Sequence, residues 1–188
     1  MKKHLILVKH ALPEIVEILP AREWKLSDEG RIRAQQLAER LSKYQPDVIV
    51  SSSEPKAKET AEIVAGRNNL ELQIVDGLHE HDRSNTPYLS GDEFQAAIHD
   101  FFEKPAVLVF GSETADQAHE RFYQAVLSIL DCHLHETVVI VAHGTVISLF
   151  VSRLTGISDW SLWNELGLPS YVVLDMQTNA LIARENIL

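Results

Sequence analysis

Leu5-Ile6-Leu7-Val8-Lys9-His10-Ala11-Leu12-Pro13 is the stretch on which the reading of this chain turns. Four consecutive apolar residues predict a short strand buried on both faces, the kind found inside a parallel sheet. Lys9 and His10 end that run, and Pro13 cannot continue ladder hydrogen bonding, so the chain leaves the sheet there. His10 therefore falls at the carboxyl end of the first strand, the edge where open α/β sheets bind ligands. A histidine beside a fixed positive charge in such a crevice is a candidate nucleophile or acid/base for a charged substrate. Taken alone the pair could equally be a solvated strand end, and the rest of the chain has to decide.

The 188 residues suit a single domain over positions 1–188, with enough length to bury a sizeable core. The 17 Lys and Arg stand against 27 Asp and Glu, a net charge of −10, which argues against nucleic acid or an anionic membrane as partner. An anionic ligand would need a local basic pocket. Met1-Lys2-Lys3-His4 and the four apolar residues after it are too short for a signal peptide or a membrane span. Cys132 is the only cysteine, so no intrachain disulfide forms and a reducing, cytoplasmic setting is expected. No repeat or low-complexity tract is evident.

Residues 12–24 form a long connection with two prolines over the mouth of the strand-one crevice, where Glu14, Arg22 and Trp24 are candidate substrate-side residues. Ser27 reads as an N-cap with Asp28 and Glu29 in the first turn. A stripe of Ile32, Ala34, Leu37, Ala38 and Leu41 carries that helix to about Lys43. Residues 47–50 are a second buried strand, followed by Ser51-Ser52-Ser53 and a helix from Pro55 to a stop at Gly66. Lys56 would lie in its first turn, where a cation is disfavoured by the macrodipole unless an anion is near. A third strand over 70–75 precedes an irregular stretch over 76–91. Helices are expected over about 91–103 and 113–134, the latter burying Ala118, Phe122, Val126 and Ile129. Residues 137–142 are the clearest buried strand, ending in His143-Gly144-Thr145 and a helix over 146–154. Strands over 171–176 and 180–183 complete an α/β domain with right-handed crossovers.

A buried strand, a polar turn with His or Lys, then a helix: this order recurs at Lys9-His10, Lys56 and His143-Gly144. Strand ends of this kind can converge in one crevice, and two histidines with two lysines suit a phosphoryl group. At this point the chain resembles the histidine phosphatase superfamily, the phosphoglycerate-mutase-like group. That family opens with a strand and Arg-His-Gly or Arg-His-Ala, matched by Lys9-His10-Ala11. Its Leu-Ser/Thr-x-x-Gly-x-x-x-Ala is matched by residues 26–34. Its Ser-Ser-Pro-x-x-Arg-Ala-x-Glu/Gln-Thr-Ala is matched by residues 51–61, with Lys56 at the arginine position. Leu78-His79-Glu80 matches the segment of the family's acid, Glu113-Thr114 and Arg121-Phe122 a later pair, and residues 139–145 the second histidine motif.

The resemblance implies a three-layer α/β/α fold with a mostly parallel central sheet. It implies that His10 attacks a phosphoryl group and forms a transient phosphohistidine, with its other ring nitrogen fixed by a backbone carbonyl. Glu80 would protonate the leaving oxygen and then activate water, which calls for a carboxyl with raised pKa. Lys9, Lys56 and His143 would hold the phosphoryl oxygens, joined by backbone N–H groups after Gly144; no metal or organic cofactor is implied. The expected activity is hydrolysis of a small phosphomonoester. A mutase is the alternative, disfavoured by the lack of room for the segments that enclose the site in glycolytic mutases. A protein that only binds a phosphorylated ligand is the other.

Two departures stand out. Lysines replace both arginines, keeping the charge but losing the planar fork that grips two oxygens; loss of one such donor costs on the order of 3 kcal/mol in some enzymes. Glu54-Pro55 replaces the usual Pro-Leu and brings a carboxylate near the pocket. Outside the motifs, His79-Glu80-His81-Asp82 and His133-Leu134-His135-Glu136 contain His-x-His pairs. They lack cysteines or a recognisable zinc spacing, and a solvated surface is the better reading. Arg83 is either a leaving-group contact or a surface salt bridge. Ser51-Ser52-Ser53 lacks the Gly-x-Ser-x-Gly turn of a serine nucleophile and reads as a strand-end turn. The stripe over 113–134 reads as core without chemistry, and Trp160, Leu162 and Trp163 as a homodimer patch or partly buried core.

Overall fold

The computed structural model describes residues 4–134 and 136–188. Met1, Lys2 and Lys3 of the N-terminal cluster and His135 of the second His-x-His pair lie outside the described residues. In chain order the elements are β1 (Leu5–Lys9), α1 (Asp28–Ser42), β2 (Val48–Ser51), α2 (Pro55–Asn68), β3 (Leu72–Ile74), α3 (Gly91–Glu103) and α4 (Ala115–Cys132). They continue with β4 (Val138–Ala142), α5 (Gly144–Thr155), α6 (Asp159–Glu165), β5 (Ser170–Asp175) and β6 (Ala180–Asn186). The sheet order is β3-β2-β4-β1-β5-β6, parallel from β3 to β1, with β5 antiparallel to both its neighbours.

Period-two alternation along the fully buried strands builds the layers. Ile6, Val8, Ile49, Val139 and Val141 face α1 and α2 through Leu37, Leu41, Ala57, Ala61 and Val64. Leu5, Leu7, Val50 and Ile140 face the opposite layer of Ile98, Phe101, Phe122, Val126 and Phe150. The three-layer α/β/α fold with a mostly parallel sheet is thus present. Among the described residues no helix is long and apolar enough to cross a membrane.

Element ends differ from expectation for local reasons. α2 runs through Gly66 to Asn68, because Asn69 supplies the left-handed cap at φ 53°. α5 starts at Gly144, directly on the strand-end histidine. Ile32 is 58% exposed and lies off the buried stripe of α1. A 3-10 turn at Ala21–Glu23 and the whole of α6 have no periodic signal long enough to be read. On α6 Leu162 is buried, while Trp160 and Trp163 stack at 5.7 Å and meet His99 and Phe94 of α3 edge-on.

One close approach ties the first helix to the turn after His10. The Leu12 carbonyl accepts from the backbone N–H and the hydroxyl of Ser27, each at 3.1 Å. A Cβ at Gly30 would lie 2.1 Å from that carbonyl oxygen, so only glycine fits. Gly30→Ala is expected to destabilise the fold by about 1–3 kcal/mol, read as a lower midpoint in urea unfolding; an unchanged midpoint would refute the contact.

Candidate active site

Because β1, β4 and β2 are adjacent and parallel, the residues that follow them emerge side by side. His10 N–H donates to Ala142 O at 3.1 Å and Ser52 N–H to Val141 O at 3.0 Å, so the ladder runs one residue past the strands. The His10 and His143 rings then meet with centroids 5.2 Å apart. The separate motif histidines become one pair at the carboxyl edge of the sheet.

His10 is 7% exposed, and its Nδ1 lies 2.8 Å from Ala11 O. A carbonyl only accepts, so Nδ1 carries the proton and Nε2 keeps its lone pair. Burial, reinforced by His143 and Lys56, holds this imidazole well below the ordinary histidine range, and it is neutral. The Ala11 N–H donates to Thr60 Oγ1 at 3.0 Å, which locks the turn onto α2. His143 is fully buried and also held well below the usual range, by burial and then by Lys56. Its Nε2 lies 2.9 Å from Ser52 Oγ and 3.6 Å from Glu54 Oε1.

The lysines are tethered to backbone. Lys9 Nζ donates to Leu166 O at 2.7 Å, and its stem passes where a Cβ on Gly144 would sit 3.0 Å away. Burial pushes Lys9 down to about 8 against the pull of Glu80. Lys56 Nζ donates to Ala21 O at 2.7 Å and to Glu54 Oε2 at 2.5 Å, and burial lowers it as well despite Glu54. An arginine would stay charged under the same burial.

Glu80 departs from expectation. Burial would raise its carboxyl, but Arg83, His143 and the His81 N–H together bring it below the ordinary carboxylate range. Its Oε1 accepts from His81 N–H at 2.9 Å and its Oε2 from Thr145 N–H at 3.2 Å. The first turn of α5 thus holds the Glu80 carboxylate, and in this state Glu80 is ionised, not protonated.

Several partners were not read from the chain. Ser52 is more than a strand-end turn, since it bonds His143. Arg121, placed in a stripe without chemistry, donates to Gly77 O at 2.8 Å, His79 O at 2.9 Å and Glu80 O at 3.3 Å, and is itself gripped by Glu113. Glu113 Oε1 also accepts Asp82 N–H at 2.9 Å, so this ion pair shapes the loop carrying Glu80. The Glu-Thr and Arg-Phe motif pair was the available signal. His81 is not on a solvated surface: it is 2% exposed and packs against Phe101 and Phe110. Arg83 forms no salt bridge among the described residues and lays its guanidinium 4.7 Å over the Phe94 ring.

Above the strand ends opens a cleft of about 770 Å³. Arg22 and Trp24 line it and Glu14 does not; Lys56, Glu54, Glu80 and Arg83 are among its polar lining residues, whereas Lys9, His10 and His143 are not in that lining. Trp24 Nε1 donates to Val16 O at 3.0 Å, pinning the loop that makes one wall.

Residues 5–185 match the family model described as histidine phosphatase superfamily, branch 1. The chain is 34% identical over 137 residues to phosphoglycerate mutase-like protein 4 of Arabidopsis thaliana, covering 69% of this chain and 60% of that protein. It is 28% identical over 182 residues to phosphoserine phosphatase 1 of Hydrogenobacter thermophilus, covering 92% and 86% respectively. The solved structure of phosphoserine phosphatase from Entamoeba histolytica with 3-phosphoglyceric acid shares the fold at a TM-score of 0.79 and 20% identity, over 98% of this chain and 97% of that one.

Lys9 gives the pocket a pH limit. Its cation is present below about 8 and lost above it, so attraction for an anion falls as pH rises through that value. Binding of inorganic phosphate, measured by calorimetry, is expected to weaken by up to about tenfold per pH unit above 8; Lys9→Arg should hold its affinity to pH 9. A parallel fall in both proteins would rule Lys9 out as the cause.

Proposed function

Because this chain belongs to branch 1 of the histidine phosphatase superfamily, we propose that it hydrolyses phosphomonoesters through a phosphohistidine on His10. The observation that carries this reading is the neutral His10, with Nδ1 bound to Ala11 O and Nε2 left with its lone pair, beside His143 at the carboxyl edge of the sheet. Nε2 attacks phosphorus in line, and the bond from phosphorus to the ester oxygen breaks. The Ala11 carbonyl stabilises the positive charge that develops on the ring. The lysines neutralise charge on the phosphoryl oxygens, and His143, itself neutral, offers them a hydrogen bond.

Glu80 fits its role once substrate is considered. Its ionised state in the empty site is held by a guanidinium, an imidazole and backbone N–H groups. A phosphate dianion arriving beside it raises its proton affinity, so Glu80 takes up a proton as the ester binds. It gives that proton to the leaving oxygen, then accepts one from the water that attacks the phosphohistidine. The bond from phosphorus to nitrogen breaks, inorganic phosphate leaves and His10 returns to its neutral form.

The cleft walls select the leaving group. Ile15, Leu19 and Trp24 on one side and Tyr88 and Phe94 on the other form an apolar slot above the polar floor. Ile15 is 57% and Tyr88 49% exposed, unpaired apolar area that an ester with a hydrophobic or aromatic alcohol would cover.

Two measurements test this. His10→Ala is expected to lower hydrolysis of an aryl phosphate by at least about a thousandfold while still binding inorganic phosphate; residual turnover near wild type would end the phosphohistidine mechanism. Phenethyl phosphate and phosphoserine have leaving oxygens of similar reactivity, and kcat/KM is expected to favour phenethyl phosphate by about tenfold or more, from burial of the ring. Equal or reversed preference would discard the apolar slot as the determinant.

A further inference from the structure

Building on that reading, we propose that Glu54 is a specificity-determining residue whose carboxylate is a tethered competitor for the phosphoryl subsite, so that an anion binds only in exchange for it. The geometry is specific. Glu54 Oε2 accepts from Lys56 Nζ at 2.5 Å, while Oε1 accepts from the Glu80 N–H at 2.9 Å and lies 3.6 Å from His143 Nε2. Lys56 and His143 are two of the three side chains assigned to phosphoryl oxygens, and here both converge on a carboxylate. The group is dry: the Glu54 side chain is 9% exposed, Lys56 6% and His143 0%.

Helix capping does not explain this placement. Glu54 stands at the N-cap of α2, yet its side chain makes no capping bond and turns into the pocket instead. Pro55 at the first helical position has no N–H to satisfy. A planar anion thus engages the donors that a tetrahedral one requires, and two anions cannot share them at contact without a large Coulomb cost in so dry a site.

The consequence is a pocket that holds free tetrahedral anions weakly, including inorganic phosphate, the product. An ester keeps the added hold of the cleft walls. The groups facing Glu54 are Lys56 from α2, His143 after β4, and Glu80 and His79 from the loop after β3, with Arg83 acting through Lys56. Several of these titrate, which makes the difference between wild type and a Glu54 variant the informative quantity.

The test is calorimetric binding of tungstate, a tetrahedral dianion with no ester bond, to wild type, Glu54→Gln and Glu54→Ala at pH 8. Both variants are expected to bind at least about tenfold more tightly than wild type. Two variants, checked for intact thermal unfolding, separate competition from damage. Equal affinity at pH 8, or weaker binding in both variants, overturns the proposal and makes Glu54 a scaffold for Lys56. Aryl phosphate turnover by wild type, lost in His10→Ala, keeps the phosphatase reading standing in that case. Absence of both tungstate binding and turnover overturns the two together.

Discussion

The site depends on the parallel pairing of three central strands whose carboxyl ends stop at one level. Lys9 is in register with Ala142 and Ser51 with Val141, so the next residue of each strand is delivered to the same edge. This is a consequence of hydrogen-bond geometry and not of the site residues themselves. A slip of one residue in β4 would turn His143 to the other face of the sheet and remove the histidine pair. The all-apolar strands guard against that slip, since both layers of helices pack on them through alternate residues.

Burial then sets the chemistry. Desolvation leads the causes that hold His10, His143, Lys9 and Lys56 below their ordinary proton affinities. A neutral imidazole is what a nucleophile needs, and the cost to the lysines is offset by carbonyl partners and by two carboxylates. Lysine at both motif positions makes the pocket's positive charge adjustable in a way that guanidinium would not be. The Glu54 carboxylate is in turn what allows Lys56 to remain charged in so dry a place. The pocket is therefore a balance of opposed groups.

Second-layer residues carry the same logic outward. Arg121 and Glu113 belong to a helix and its entrance, yet they shape the loop that presents Glu80 by capturing three of its carbonyls and one of its N–H groups. Thr60 does the same for the turn after His10. Such backbone anchoring leaves no periodic trace, because the partner is a carbonyl that any residue could supply. It was legible only as a motif pair with no assigned role, and the apolar stripe of α4 drew attention elsewhere.

The sequence by itself determined the layered α/β fold, the strand ends that carry His10 and His143, and the unusual lysines and Glu54. Those features follow from local hydrophobic runs, turn chemistry and residue identity, which are properties of short segments. Tertiary structure alone decided that Glu80 rests ionised on the first turn of α5, that Lys56 and His143 close on Glu54, and that His81 packs among phenylalanines. The cleft walls likewise come from separate loops, residues 12–24 and 78–94, that meet only when the chain is folded. Each of these is a through-space arrangement whose energy depends on burial and, except for the Lys56–Glu54 pair, on distances between segments far apart in the chain, and no spacing along the chain encodes it.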